Sequence, residues 1–158
     1  MKSKAVLTLD DLKKIAAGAE AEAIKNNWNV SIAICDDGGH LLFYQRMDGA
    51  APVSSHIAPQ KARTAAIGRR NTKLYEDMVN GGRYSALSMP EVTHLEGGVP
   101  IIVDGNVIGA VGVSGVKSSE DAQIADAGIK ALLGEAMSKI TKVEVHAFQF
   151  DAHNSTAR

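Results

Sequence analysis

The chain has few aromatic residues, a single cysteine and no apolar stretch long enough to span a bilayer. Aromatics make up 4% of the sequence, so the core has to be built from Ala, Val, Ile and Leu, whose small side chains allow close packing. The lone Cys35 excludes an internal disulfide and a cysteine-based zinc site. Because no signal-peptide apolar region precedes Asp10 either, we expect a cytoplasmic protein without membrane contact.

Basic and acidic residues are nearly balanced. The chain has 17 Lys and Arg against 18 Asp and Glu, a formal net charge of -1. Since these charges are dispersed, the sequence offers no basic field for a phosphate backbone, and nucleic acid is not an expected partner. A length of 158 residues suits one domain with a proper core. We predict that domain over residues 1–140, followed by a C-terminal extension over residues 141–158.

Hydrophobic periodicity predicts helices before and after a set of β-hairpins. Thr8 is a capping residue with an acid three positions on, ahead of an amphipathic stretch. The predicted elements are a helix over 9–26, a hairpin over 28–46, helices over 54–67 and 73–79, a short strand at 92–95, a hairpin over 96–115, a helix from 118 to about 137 and an added strand at 143–150. Hairpins require antiparallel pairing, so the pattern indicates an α/β layer structure rather than a doubly wound parallel sheet.

The second hairpin is rich in glycine. Asp104 and Gly105 form its turn, since Gly at positive φ closes a short hairpin without steric cost. Five further glycines remove packing side chains, which predicts close approach of another backbone, a helix or a flat ligand. They are Gly97, Gly98, Gly109, Gly112 and Gly115. We expect the first two, with Pro100, to line a pocket or a subunit contact and the other three to pack against a helix.

Four short motifs follow one another along the chain. They are 46–50 (Arg-Met-Asp-Gly-Ala), 61–66 (Lys-Ala-Arg-Thr-Ala-Ala), 97–101 (Gly-Gly-Val-Pro-Ile) and 109–115 (Gly-Ala-Val-Gly-Val-Ser-Gly). In this order they resemble the family named for the proteins GlcG and HbpS, over residues 8–138. The resemblance implies a profilin-like α/β/α fold (α+β) with a five-stranded antiparallel sheet, and homo-oligomers. Some members bind or degrade haem, and relatives are fused to corrinoid adenosyltransferases.

The resemblance directs attention to the groups that hold a haem, which are an axial donor, an apolar slot and bases for the propionates. His56 and His94 lie at the ends of the two best motifs and are the first candidates. Lys61 is a candidate for a carboxylate or propionate. The full set of predicted cofactor-binding residues, placed in a groove between the glycine hairpin and the second helix, is Arg46, His56, Lys61, His94, Glu96, Gly97, Gly98 and Pro100.

Several of these residues also have a plain structural interpretation. Arg46 follows a strand end, and we favour a pair with Asp48 over an acidic substrate. Lys61 and Arg63 are two apart on one helix and point to different faces, so one of them serves a salt bridge or a subunit contact. Cys35 lies among apolar residues of a strand, where burial is expected.

The sequence is consistent with three functions. The first is a homo-oligomeric small-molecule or cofactor-binding protein of the GlcG and HbpS type, with haem as the candidate cofactor. The second is an enzyme acting on a small hydroxy or oxo acid, whose carboxylate Lys61 or Arg46 would hold. His56, His94 or Glu96 would then act as the acid or base. The third is a non-catalytic accessory subunit of a diol, glycerol or glycolate catabolic system.

Overall fold

Two β-hairpins, joined through their inner strands, form the centre of the fold. The computed structural model describes residues 1–134. Its elements in chain order are α1 (Leu9–Lys25), β1 (Ser31–Asp36), β2 (Leu41–Arg46), α2 (Ser54–Gly68), α3 (Lys73–Asn80), a 3-10 helix (Tyr84–Ser88), β3 (Gly98–Val103), β4 (Asn106–Ser114) and α4 (Ser118–Leu133). The predicted extension and its strand at 143–150 lie outside the described residues.

The sheet is antiparallel, with strand order β2-β1-β4-β3. Its two inner strands pair in register from Ser31 with Ser114 to Asp36 with Gly109. The β3–β4 turn has positive φ at both Asp104 and Gly105, the backbone of a tight two-residue hairpin. The expectation of an antiparallel sheet between helices is confirmed. In residues 1–134 the sheet has four strands, so the predicted number of five is wrong for this part of the chain.

The predicted short strand at 92–95 is also wrong, because these residues form an irregular segment. Their polar groups bond to helices and turns rather than to a neighbouring strand. The backbone N–H of Thr93 donates to Thr64 Oγ1 at 2.9 Å, and the ring of His94 bonds to the carbonyl oxygen of Ala86. The segment therefore runs across α2 and the 3-10 helix before β3 begins.

Helices cover both faces of the sheet. Helices α1 and α4 pack on one face, against alternate residues of the strands such as Ile32, Ile34 and Val111. Helix α1 begins with the predicted capping box, in which Thr8 Oγ1 accepts from the backbone N–H of Asp11. No helix of the described residues has the length and apolar character needed to cross a membrane.

The opposite face carries α2 and is built almost entirely from alanine. This core consists of Ala33, Cys35, Ala58, Ala62, Ala65, Ala66 and Ala110. Such small residues bring the helix backbone close to the sheet. A Cβ on Gly112 would overlap the carbonyl oxygen of Ala58 and the backbone nitrogen of Ala62, so the expected packing of Gly112 against a helix is confirmed. Gly109 and Gly115 instead face the backbone of Cys35 and of Asn29.

Candidate functional site

Lys61 lies inside the protein. Its Nζ is 2.9 Å from Asp121 Oδ2 and 3.0 Å from the carbonyl oxygen of Val113, and the side chains of Lys61 and Asp121 are each 2% exposed. A charge buried this deeply needs a partner of opposite sign. Because two internal acceptors hold the ammonium, it does not face a ligand from solvent as the sequence suggested. Arg63 makes a second ion pair, with Glu91 at 2.7 Å, so both cations of the motif serve salt bridges.

Asp121 is the residue that the sequence reasoning missed. It accepts from Lys61 through Oδ2 and from the backbone N–H of Val116 through Oδ1 at 3.1 Å. Burial raises the pKa of its carboxyl to about 6, against the opposing influence of Lys61. A signal for this burial was present, because positions 121, 124, 125, 128 and 129 share one face of α4 at helical spacing.

The Gly97–Gly98 motif surrounds this ion pair. Gly97 has φ of +130°, and a Cβ there would lie 2.8 Å from Lys61 Nζ and 3.0 Å from Asp121 Cβ. A Cβ on Gly98 would overlap the carbonyl oxygen of Lys61. Pro100, also buried, sits in β3 opposite Ala110. The hairpin and α2 are thus in direct contact at Gly98 and Gly112.

His94 is held between α3 and the 3-10 helix. Its Nε2 lies 2.7 Å from the carbonyl oxygen of Ala86, and its ring meets the ring of Tyr75 edge to face with centroids 6.1 Å apart. A carbonyl oxygen only accepts, so Nε2 donates the ring hydrogen and Nδ1 of the neutral ring keeps its lone pair. No group in residues 1–134 hydrogen bonds to Nδ1.

Exposed apolar residues neighbour this histidine and its carbonyl partner along the chain, and a cation contacts the tyrosine beside it. Leu87 follows Ala86 and is 59% exposed, while Leu95 follows His94 and is 39% exposed. The guanidinium of Arg70 lies 5.8 Å from the centroid of the Tyr75 ring. The segment therefore combines a held imidazole with accessible apolar surface and a positive charge.

Glu96 lies two residues beyond His94 and is partly buried. Its backbone N–H donates to Glu76 Oε2 at 3.4 Å. Burial raises the pKa of the Glu96 carboxyl, and the neighbouring Glu76 acts in the same direction while Lys73 opposes it. A carboxyl with a raised pKa suits proton donation, so the acid or base role suggested for Glu96 stays a prediction.

His56 and Arg46 are the two remaining polar residues of the predicted set, and both are exposed. His56 is exposed in the first turns of α2, two residues after Ser54, whose side chain faces the sheet and bonds to Ser31. Arg46 is exposed at the end of β2. In the described residues no ion pair joins Arg46 to Asp48, so the predicted pair is wrong.

The described residues contain no group of three or more His, Cys, Asp or Glu that could hold a bare metal ion. An iron already enclosed in an organic ring needs only one or two protein donors. His94 alone could therefore serve as the donor to an iron in such a ring, but it could not hold a bare metal ion.

Comparison with known proteins agrees with the motifs. The family model described as "Haem degrading protein HbpS-like" matches residues 7–130. The chain belongs to the HbpS-like family. Protein GlcG of Escherichia coli (strain K12) is 57% identical to this chain over 114 residues, which cover 72% of this chain and 85% of that protein.

Solved structures of HbpS-like proteins have the same fold. A double mutant of HbpS from Streptomyces reticuli is similar with a TM-score of 0.75 and 31% identity, over 84% of this chain and 90% of that chain. PduOC, solved as a complex with haem, is similar with a TM-score of 0.73 and 32% identity, over 80% of this chain and 95% of that chain. The fold class and the family predicted from the four motifs are therefore confirmed.

Proposed function

We propose that this protein binds haem and that His94 Nδ1 is the donor to the iron. The observation that carries this proposal is the 2.7 Å contact between His94 Nε2 and the carbonyl oxygen of Ala86. A metal-binding histidine typically donates its other ring N–H to a carbonyl or carboxylate, which fixes both the tautomer and the ring orientation. His94 has this arrangement through its bond to Ala86.

The residues around His94 match the other parts of a haem. Leu87 and Leu95 offer apolar surface to a flat ring, and Arg70 and Arg83 are the cations of the adjacent chain segments that would meet propionates. Lys61 is not in this set because Asp121 holds it. Bound haem would supply an iron centre for redox chemistry or for binding a small molecule.

Two comparisons favour haem over another cofactor. The family that the chain belongs to is described as haem degrading, and PduOC was solved with haem. Both statements concern other proteins, and they support the same cofactor that the resemblance implied. The exposed His56 has no comparable second-nitrogen partner in the described residues, so we place the iron at His94.

A haemin titration followed by the Soret absorption tests the proposal. Wild type should give a saturable spectral change, His94→Ala should lose most of it, and His56→Ala should keep it. His40→Ala is the matched control, because His40 is an exposed histidine engaged with Asp36. Absence of a saturable change in wild type, or its retention in His94→Ala, would overturn the proposal and favour the enzyme or accessory-subunit hypotheses.

We also infer that copies of the chain associate through β2. This strand forms one edge of the sheet in residues 1–134, and it exposes Leu41 by 55% and Leu42 by 41%. Edge strands with exposed apolar residues are ready sites for pairing with another chain. Light scattering should give a multiple of the chain mass for wild type and a smaller mass for Leu41→Lys/Leu42→Lys. A monomeric wild type would contradict the inference.

A further inference from the structure

We propose that Lys61 and Asp121 are positioning residues for the ligand site, because their ion pair holds the chain segment that carries His94. This inference rests on the proposed binding of haem at His94. It assigns to the buried lysine of the family motif a role at a distance, in place of the direct contact with a propionate that the sequence suggested.

The ion pair lies directly against Gly97. The space that a Cβ of Gly97 would occupy lies 2.8 Å from Lys61 Nζ, 2.8 Å from the carbonyl oxygen of Val113 and 3.0 Å from Asp121 Cβ. The backbone N–H of Val113 in turn donates to the carbonyl oxygen of Gly97 at 3.0 Å. The ammonium and the Gly97 backbone therefore share Val113 as a common partner.

Gly97 is close to His94 along the chain. Two residues lie between them, so their Cα atoms are at most about 11 Å apart. Thr72 fixes the neighbouring Gly98 through two hydrogen bonds. Thr72 Oγ1 accepts from the backbone N–H of Gly98 at 2.8 Å, and the backbone N–H of Thr72 donates to the carbonyl oxygen of Gly98 at 3.0 Å. A change in the backbone position of Gly97 would therefore move the segment that carries His94, whose ring is held by its hydrogen bond to the carbonyl oxygen of Ala86 and by its contact with the Tyr75 ring.

A charged pair does more at this position than fill space. An apolar pair of similar volume often stabilises a fold as well as a buried ion pair does. Only the ammonium, however, can donate to both Asp121 and the carbonyl oxygen of Val113. The geometry thus assigns to the pair a directional role at Gly97 as well as the filling of space.

Nitrogen NMR of histidine-labelled protein without haem is the first arm of the test. At about pH 8 an unperturbed imidazole is neutral, and the ring nitrogen shifts then report which nitrogen carries the hydrogen. Wild-type His94, identified by loss of its signal in His94→Gln, should show the Nε2–H form. The variant Lys61→Met/Asp121→Leu should show a mixture of the Nδ1–H and Nε2–H forms of His94. Asp121→Asn keeps an acceptor oxygen and should change the His94 shifts less.

Haemin affinity is the second arm. We expect Lys61→Met/Asp121→Leu to bind about tenfold more weakly or worse, the range seen when a group that orients a metal ligand is removed. The matched control is Asp10→Leu/Lys14→Met, which removes an exposed pair on α1 and should leave the affinity unchanged. Urea unfolding of each variant shows whether affinity follows stability.

The outcomes separate the two proposals. A stable double variant with wild-type His94 shifts and wild-type affinity would overturn the positioning role and leave only a packing role. If the double variant does not fold, Asp121→Asn tests the positioning role instead. Unchanged His94 shifts in folded Asp121→Asn would overturn that role. If wild type binds no haemin, the proposed function fails, while the NMR arm still decides whether the pair positions His94.

Discussion

Lys61 and Asp121 belong to helices on opposite faces of the sheet, yet Lys61 Nζ lies 2.9 Å from Asp121 Oδ2. They meet at the start of β3, where Gly97 has no side chain to keep them apart. The Lys61–Asp121 ion pair thereby connects α2 on one face of the sheet with α4 on the other, next to the start of β3. The glycine pair and the lysine of two separate sequence motifs are parts of one buried arrangement.

Removing the lysine alone should be costly. In Lys61→Met the carboxylate of Asp121 loses its counter-charge in a buried position, a change that typically lowers the free energy of unfolding by about 3–5 kcal/mol. Lys61→Met/Asp121→Leu should recover most of that loss, because no charge is then left unpaired. Urea unfolding monitored by circular dichroism measures both, with the exposed Lys14→Met as control. Equal stability of Lys61→Met and wild type would contradict the account.

Stability should depend on pH through Asp121. Burial raises the pKa of this carboxyl in the folded protein to about 6 from an ordinary value of 3.8. Between those values the folded state binds more protons than the unfolded state, so the free energy of unfolding falls as pH rises from about 4 to about 6 and then levels off. The same curve for Asp121→Asn lacks this contribution. A difference between the two curves that stays constant over the window would refute the prediction.

Much of the fold could be predicted because most helices, strands and turns depend on residue patterns within short stretches of the sequence. The capping box at Thr8, the tight turn at Asp104 and Gly105, and the alternation of β1 all depend on residues close in sequence. The strand predicted at 92–95 failed because side chains distant in sequence, Thr64 among them, take up its hydrogen bonds. Such partners leave no periodic signal.

The candidate site was predicted less well, for a related reason. Sequence reasoning selected Lys61, Gly97 and Gly98 together, and the structure brings them together, but around the internal Asp121 rather than around a groove. Asp121 lies in the first turn of α4, where exposed acidic residues are common, and only the helical spacing of the buried face indicates that it points inward. The state of His94 was beyond sequence reasoning, because Ala86 contributes only a backbone carbonyl.

The glycines that contact α2 should not tolerate a methyl group. In Gly98→Ala and Gly112→Ala the new Cβ would overlap backbone atoms of α2, which cannot rotate away. We expect losses of about 1–3 kcal/mol or more in the free energy of unfolding, as for other overpacked sites. Gly38→Ala is the control, since its Cβ would meet side-chain atoms of His40 and Asp36 and no helix backbone. Similar losses in all three variants would argue against the close contact.

The thiol of Cys35 should be unreactive towards alkylating agents in the folded protein. Burial raises the pKa of its thiol to about 12, and the side chain lies in the alanine core beneath α2. Only the thiolate reacts readily with alkylating agents. Mass spectrometry after iodoacetamide treatment should therefore find Cys35 unmodified in buffer and modified in urea. Rapid modification in buffer would show that α2 does not cover β1 as described.

The central claim is that His94 supplies its Nδ1 to haem iron, and chemical rescue tests it most directly. In His94→Gly the imidazole is removed, so haemin should give a spectrum unlike that of wild type. Addition of free imidazole should restore the wild-type spectrum, because the vacated space accepts a ring of the same size. A wild-type spectrum in His94→Gly without added imidazole would contradict the claim, since another group would then be the donor.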